Sequence, residues 1–161
     1  MKRPWSIVGS LVFFLIAPGT VAGWAPYALT KWRFEPAFFG LEPIRYLGGA
    51  LIAGGLACLV TCFARFALEG RGTPAPVAPT ETLVISGLYR YVRNPMYVAV
   101  VTIIVGQALL FASRSLLIYA AVVWLCFHLF VLIYEEPTLR RQYGAAYDAY
   151  RARVPRWLPG F

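Results

Sequence analysis

Charge is what this 161-residue chain has least of. Only 14% of its residues are Asp, Glu, Lys or Arg, against about a quarter in soluble domains. So few charges leave too little polar surface to face water, which excludes an ordinary soluble globular protein. Histidine occurs once, at His128, and cysteine three times. Cys58 and Cys62 fall on one helix face without further ligands beside them, so ordinary buried thiols are expected and no metal centre. No Gly-x-Gly-x-x-Gly follows a strand-like segment, which removes the usual dinucleotide-binding turn. No Ser/His/Asp set exists either, and His128, in mid-helix on an apolar span, is expected to be a packed core residue. Internal repeats, low-complexity tracts and soluble appendages are absent, so residues 1–161 read as one domain.

What the chain has in quantity is uninterrupted apolar length. Hydrophobic residues make up 60% of it, and four windows carry no charge at all: 4–30, 46–64, 94–113 and 115–134. A helix needs about 20 apolar residues to cross a hydrocarbon core roughly 30 Å thick. The expected fold class is therefore all-α, a polytopic membrane protein with about four transmembrane helices plus a C-terminal interfacial helix. Helix one is expected over Trp5–Leu29, kinked by Pro18 with neighbouring helices satisfying the freed carbonyl. Its uncharged span exceeds a signal-peptide core, so it reads as a retained helix. Helix two, Tyr46–Phe66, is rich in small residues such as Gly48, Gly49, Gly54 and Gly55, which suit close helix packing. Together these form an N-terminal pair over 5–66, followed by a catalytic-like region over 70–158.

The net charge of +8 does not point to nucleic acid, because its distribution follows the membrane. Lys2 and Arg3, then Arg65, Arg71, Arg90 and Arg93, then Arg140, Arg141, Arg151, Arg153 and Arg156 fall on one side of a four-span topology. Lys31, Arg33, Arg45 and Arg114 fall on the other. The excess of eleven over four places both termini and the central loop in the cytoplasm, where the basic tail can rest on anionic lipid.

Glycine and proline between Glu69 and Pro76 forbid a continuous helix, leaving 69–82 as a surface linker or as a lid or wall over a site. Helices three (Pro95–Phe111) and four (Leu116–Tyr134) are joined by a turn around Arg114 so short that they must form an antiparallel hairpin. Asn94-Pro95-Met96-Tyr97 then lies near Glu135-Glu136 at one membrane face. After Pro137 a further helix carries Leu139, Tyr143, Tyr147, Tyr150 and Val154 on one stripe. The expectation is packing on the membrane surface, with tyrosines lining a site as the alternative. Carboxylates at the end of an apolar helix are costly unless used. Glu135 and Glu136 could hold a cation such as a sulfonium or ammonium, or bind ribose hydroxyls. The loop that carries Arg90, Arg93 and Asn94 faces them, and an arginine there could neutralise one carboxylate or grip a ligand's own.

Ser86-Gly87-Leu88-Tyr89, Arg93-Asn94-Pro95-Met96-Tyr97, Glu135-Glu136, Tyr143-Gly144-Ala145-Ala146-Tyr147-Asp148-Ala149-Tyr150 and Arg153-Val154-Pro155 follow one another in an order that resembles a known family. It is similar to the isoprenylcysteine carboxyl methyltransferases and to their relatives, the phospholipid N-methyltransferases. That resemblance, over 70–158, implies S-adenosylmethionine as methyl donor, bound on the cytoplasmic side. Carried over by position, Thr82, Leu83, Val84, Tyr89, Asn94, Pro95, Met96, Tyr97 and Glu135 would contact the donor. Glu135, Glu136, Arg93 and Asn94 are the candidate catalytic set. The acceptor would be a membrane-borne amphipath bearing a carboxylate, thiol or lipid amine. An amine must lose a proton, and Glu136, Tyr89 and Tyr97 are the candidate bases. Where the prenylcysteine enzymes place histidines this chain has Glu81 and Asn94. Their carboxylate-holding arginine is Val131 here, which counts against a prenylcysteine acceptor. The competing readings are an NADPH-dependent sterol-type reductase, which shares an Arg-x-Pro-x-Tyr element, and a non-catalytic membrane scaffold.

Overall fold

The computed structural model describes residues 3–68 and 83–159, and those residues are helical apart from short connections. The 69–82 segment, expected as a linker or lid, and with it Thr82, lies outside the described residues. In chain order the helices are α1 (Arg3–Gly19), α2 (Ala25–Thr30), α3 (Pro43–Leu68), α4 (Pro95–Phe111), α5 (Arg114–Phe130), α6 (Glu136–Tyr143) and α7 (Ala145–Arg153). Val12–Thr30, Pro43–Arg65 and Arg114–Tyr143 are long and apolar enough to cross a membrane. Helix α4, an apolar helix of 17 residues, stands at the short end of the spanning range. The chain is thus an all-α, multi-pass membrane protein.

Two of these spans are continuous runs widened by a π-helical turn. Thr20–Trp24 joins α1 to α2, and Val131–Glu135 joins α5 to α6. Each turn is followed within two residues by a proline, Pro26 and Pro137. A proline lacks the N–H its helix needs and crowds the carbonyl four residues back. One extra residue in the turn relieves that crowding. The expected kink at Pro18 is therefore displaced: α1 runs through Pro18, and the ladder opens ahead of Pro26. The carbonyls that need outside donors are those of Val21 and Ala22. Tyr119 donates its hydroxyl to Val21 O at 2.8 Å, and Gln107 Nε2 donates to Ala22 O at 2.6 Å. Gln107 is buried, and its Oε1 accepts from Trp32 Nε1 at 3.1 Å. Likewise the fourth span does not stop at Tyr134. It continues through Pro137 to Tyr143, and the separate terminal helix is α7, after Gly144. That glycine sits at φ +51°, a conformation a side chain would strain.

The small residues of α3 do what their composition suggests. A Cβ built on Gly48 would lie 2.6 Å from Gly106 O and from Leu110 N. One on Gly55 would lie 2.8 Å from the Ile103 side chain, and one on Gly106 2.8 Å from Gly48 O. Backbones of α3 and α4 therefore touch along a glycine seam, the packing available where water supplies no hydrophobic drive between helices. Helices α4 and α5 turn back on each other through Ala112, at φ +57°, and buried Ser113. The short antiparallel hairpin read from the sequence is present. At the turn end, Arg45 staples the bundle by donating to Leu110 O and Glu35 O, both at 2.6 Å, and to Glu42 at 2.7 Å. The opposite end is left to build a site.

Candidate active site

At that opposite end the hairpin brings its two mouths together. Pro95 opens α4 as its first residue, the position where a missing N–H costs nothing. Two residues on, Tyr97 donates its hydroxyl to Glu135 Oε2 at 2.6 Å. The Tyr97 ring also packs on Phe127 of α5, centroids 4.7 Å apart. Glu135 closes the π turn, and its neighbour Glu136 begins α6. Successive helical residues point about 100° apart, so the two carboxylates take different partners.

Glu136 is buried and fully engaged. Arg156 grips it with a fork, Nε to Oε1 at 2.7 Å and Nη2 to Oε2 at 3.1 Å, while Arg93 Nη1 donates to Oε1 at 2.9 Å. Both oxygens are thus occupied by guanidinium groups. The bond to Glu136 in turn holds the Arg156 guanidinium above its ordinary pKa, so it stays charged. Asn94 does not cap α4 with its side chain; its Nδ2 donates to Arg156 O at 3.1 Å. Glu135 differs in having one phenol as its hydrogen-bond donor among the described residues.

A cavity of about 600 Å³ opens beside this pair. Its polar end carries Arg93, Asn94, Tyr97, Glu135 and Glu136, with Met96, Tyr89, Val84 and Leu83 on the adjoining wall. Of the residues expected to contact a donor, these all line it. Pro95 does not: it is buried at the start of α4. Three further walls are absent from the sequence reading or were its lesser alternative. Leu139, Tyr143, Tyr147 and Tyr150 turn inward to the cavity, and Tyr147, Tyr150 and Val154 form a buried cluster with them. The membrane-surface expectation for that stripe is therefore corrected, because Gly144 bends α7 back over the hairpin mouth. Helix α1 contributes Phe13, Ala17 and Pro18, and α5 contributes Cys126 and Phe130. These line an apolar arm reaching between spans. Nothing in an apolar run marks which face meets a cavity, so no local signal could have found α1.

The tyrosines are acids held in reserve rather than ready bases. Burial pushes the Tyr89 phenol well up, and nearby Cys62 and Glu135 push it further. Burial likewise raises Tyr147 and Tyr150. Tyr150 donates to Tyr89 O at 2.7 Å and fixes the short 3-10 turn Gly87–Arg90 against α7. His128 is not a core residue. It is half-buried, stacks on Trp124 with centroids 5.1 Å apart, and accepts from Trp157 Nε1 at 3.0 Å. No group of three or more potential metal ligands occurs among the described residues.

Residues 44–146 match a family model described as phospholipid methyltransferase. That span holds α3, the hairpin, the glutamate pair and α6, and leaves α1 and most of α7 outside. Over 78 residues the chain is also 35% identical to the protein-S-isoprenylcysteine O-methyltransferase of Schizosaccharomyces pombe, covering 48% of this chain. The aligned part spans about a third of that relative's length. With its family model matching well over half of its residues around the same hairpin, this chain belongs to the phospholipid methyltransferase family.

Proposed function

We propose that the protein is an S-adenosylmethionine-dependent methyltransferase whose acceptor is a membrane-borne amphipath presented at the cytoplasmic face. The observation that carries this reading is the Tyr97–Glu135 pair, 2.6 Å apart, at the polar end of a cavity whose other end is apolar and lies between spans. The residues present suit a donor of that class. Glu135 offers a carboxylate oxygen beyond the one bonded to Tyr97, which fits an ammonium, a sulfonium field or ribose hydroxyls. The volume lies within the range of small-molecule sites. When bound, the donor supplies a methyl carbon already activated as an electrophile, so positioning and exclusion of water are the main tasks left to the chain.

On this reading Glu135 holds the cationic ligand, with Tyr97 fixing its rotamer. Glu136 acts as a structural anchor, since both its oxygens are taken by arginines. That engagement makes Glu136 a poor candidate base, and the raised phenols of Tyr89, Tyr147 and Tyr150 are no better. An acceptor arriving already deprotonated needs no base; an amine would lose its proton next to Glu135, the one cavity carboxylate without a cation among the described residues. The apolar arm formed by Phe13, Ala17, Phe127 and Phe130 would take the acceptor's hydrocarbon part.

The test is direct. Purified protein is incubated with methyl-labelled donor and native lipid extract, and the labelled product is identified. In parallel, S-adenosylhomocysteine should raise the melting temperature of detergent-solubilised protein, by about 2.7 kcal/mol of added stability at a hundredfold excess over Kd. Stabilisation by NADPH instead would establish the reductase reading, and no response to either ligand would leave a scaffold.

A further inference from the structure

The tail after α7 touches the site without lining it. Pro155 O accepts from Arg93 N at 2.9 Å, Arg156 O accepts from Asn94 Nδ2 at 3.1 Å, and the Arg156 guanidinium holds Glu136. All three partners, Arg93, Asn94 and Glu136, stand on the cavity wall. Tail and wall are thus bonded at three successive points, and a tail displaced along its length would move them together. The next residue points elsewhere. Trp157 Nε1 donates to His128 Nδ1 at 3.0 Å, and its ring lies 5.7 Å from the imidazole and 6.3 Å from Trp124. His128 stands two turns before Glu135 on the same helical run, so the anchor and the site share one rigid element.

We propose that Trp157 and His128 form a latch that fixes the register of the tail and thereby positions Arg93, Asn94 and Glu136 for ligand binding. Both are positioning residues, since neither reaches the cavity. The latch needs an N–H on residue 157 and an unprotonated acceptor at the Nδ1 position of residue 128, which requires the Nε2–H tautomer. Trp124 stacks under the imidazole and holds its plane. A site supported this way loses function when its supporting contacts loosen by a fraction of an ångström, before the fold itself fails.

This inference rests on the proposed donor site, and the test separates the two. S-adenosylhomocysteine is titrated by calorimetry into the full-length wild-type protein and four variants, with the melting temperature measured alongside. Trp157→Phe keeps a ring and removes the donor; His128→Leu removes the acceptor. Each should weaken binding about two- to tenfold, the range expected for losing one neutral hydrogen bond. His128→Asn, whose Oδ1 can stand where Nδ1 stood, should restore binding to within about twofold of wild type. The double variant Trp157→Phe/His128→Leu should bind no worse than either single one, because one bond cannot be lost twice. Additive losses would mean that Trp157 serves only as an interfacial anchor, and would overturn the latch. So would wild-type affinity in both single variants, or melting temperatures that fall with affinity unchanged. Failure of the wild type to bind would overturn the donor site and the latch together.

Discussion

Glu135 and Glu136 are neighbours in sequence, and their substitution by glutamine should have opposite consequences. The Glu136 side chain is 10% exposed, with Arg93 at 11% and Arg156 at 30%. Glu136→Gln leaves two guanidinium groups facing one amide oxygen. Removing one charge from a buried pair costs about 3–5 kcal/mol. Because Arg156 is nearly a third exposed, water screens part of what remains, and the lower end of about 3 kcal/mol applies. For a chain of this length that corresponds to a fall in melting temperature on the order of 6–12 °C. Glu135→Gln retains an oxygen to accept from Tyr97, so its melting temperature should stay within about 2 °C of wild type. It removes the charge facing the cavity, however, and donor affinity should drop about tenfold or more. Thermal unfolding followed by tryptophan fluorescence in detergent reads the first effect, and S-adenosylhomocysteine titration reads the second. Equal destabilisation by the two substitutions, or wild-type stability in Glu136→Gln, would refute the division of labour.

Sidedness is testable with single cysteines in a background lacking Cys58, Cys62 and Cys126: positions Tyr91 and Phe39, both exposed, should label from opposite faces of the membrane, Tyr91 from the cytoplasm. Along the α3–α4 seam, Gly106→Val should prevent recovery of folded protein, since its Cβ would stand 2.8 Å from Gly48 O. Gly49→Ala, which meets nothing within 4 Å, should be neutral or slightly stabilising by size-exclusion yield and melting temperature. Stability should decline as pH rises beyond about 10, the unfolded tyrosine value. Tyr89, Tyr147 and Tyr150 are raised by burial, so the folded chain keeps protons that the unfolded chain releases. A melting temperature unchanged to pH 11 would contradict that burial.

The hairpin was legible because it follows from length alone: two apolar runs with almost nothing between them can only fold back. The nearness of the Arg93–Tyr97 segment to Glu135 and Glu136 came with it, whereas the pairing of Tyr97 with Glu135 and of Arg93 with Glu136 is set by the structure. The glycines of α3 were legible for a similar reason, as a run of small residues is of use in lipid chiefly where backbones meet. Pro137 misled because proline is a stop signal in a sequence, whereas a π turn two residues earlier lets the helix pass. Pro18 in α1 and Pro26 in α2 show the same limit on the first span: periodicity does not say which of two prolines the ladder will open for. Arg156 counted in the sequence only as one more basic residue of a tail. Its role depends on a contact with Glu136 twenty residues away, which follows from the bend at Gly144 rather than from any local pattern.

The π turn at Val131–Glu135 gives the glutamate pair its chemistry. It ends on Glu135, so Glu136 begins a new α-helical phase in which its side chain turns to Arg93 and Arg156. Two positive charges therefore meet one carboxylate on the tail side of the hairpin mouth, and on the cavity side one carboxylate meets a neutral phenol. The polarity of the site is thus divided, with a cationic surplus around Glu136 and, among the described residues, a carboxylate without a cation at Glu135. A ligand carrying a positive centre gains most by lying against Glu135. Its own carboxylate, where it has one, is drawn towards Arg93, the guanidinium that also lines the cavity. On the proposed reading that orientation leaves the reactive carbon between the polar mouth and the apolar arm, where an acceptor entering from the bilayer would present its headgroup.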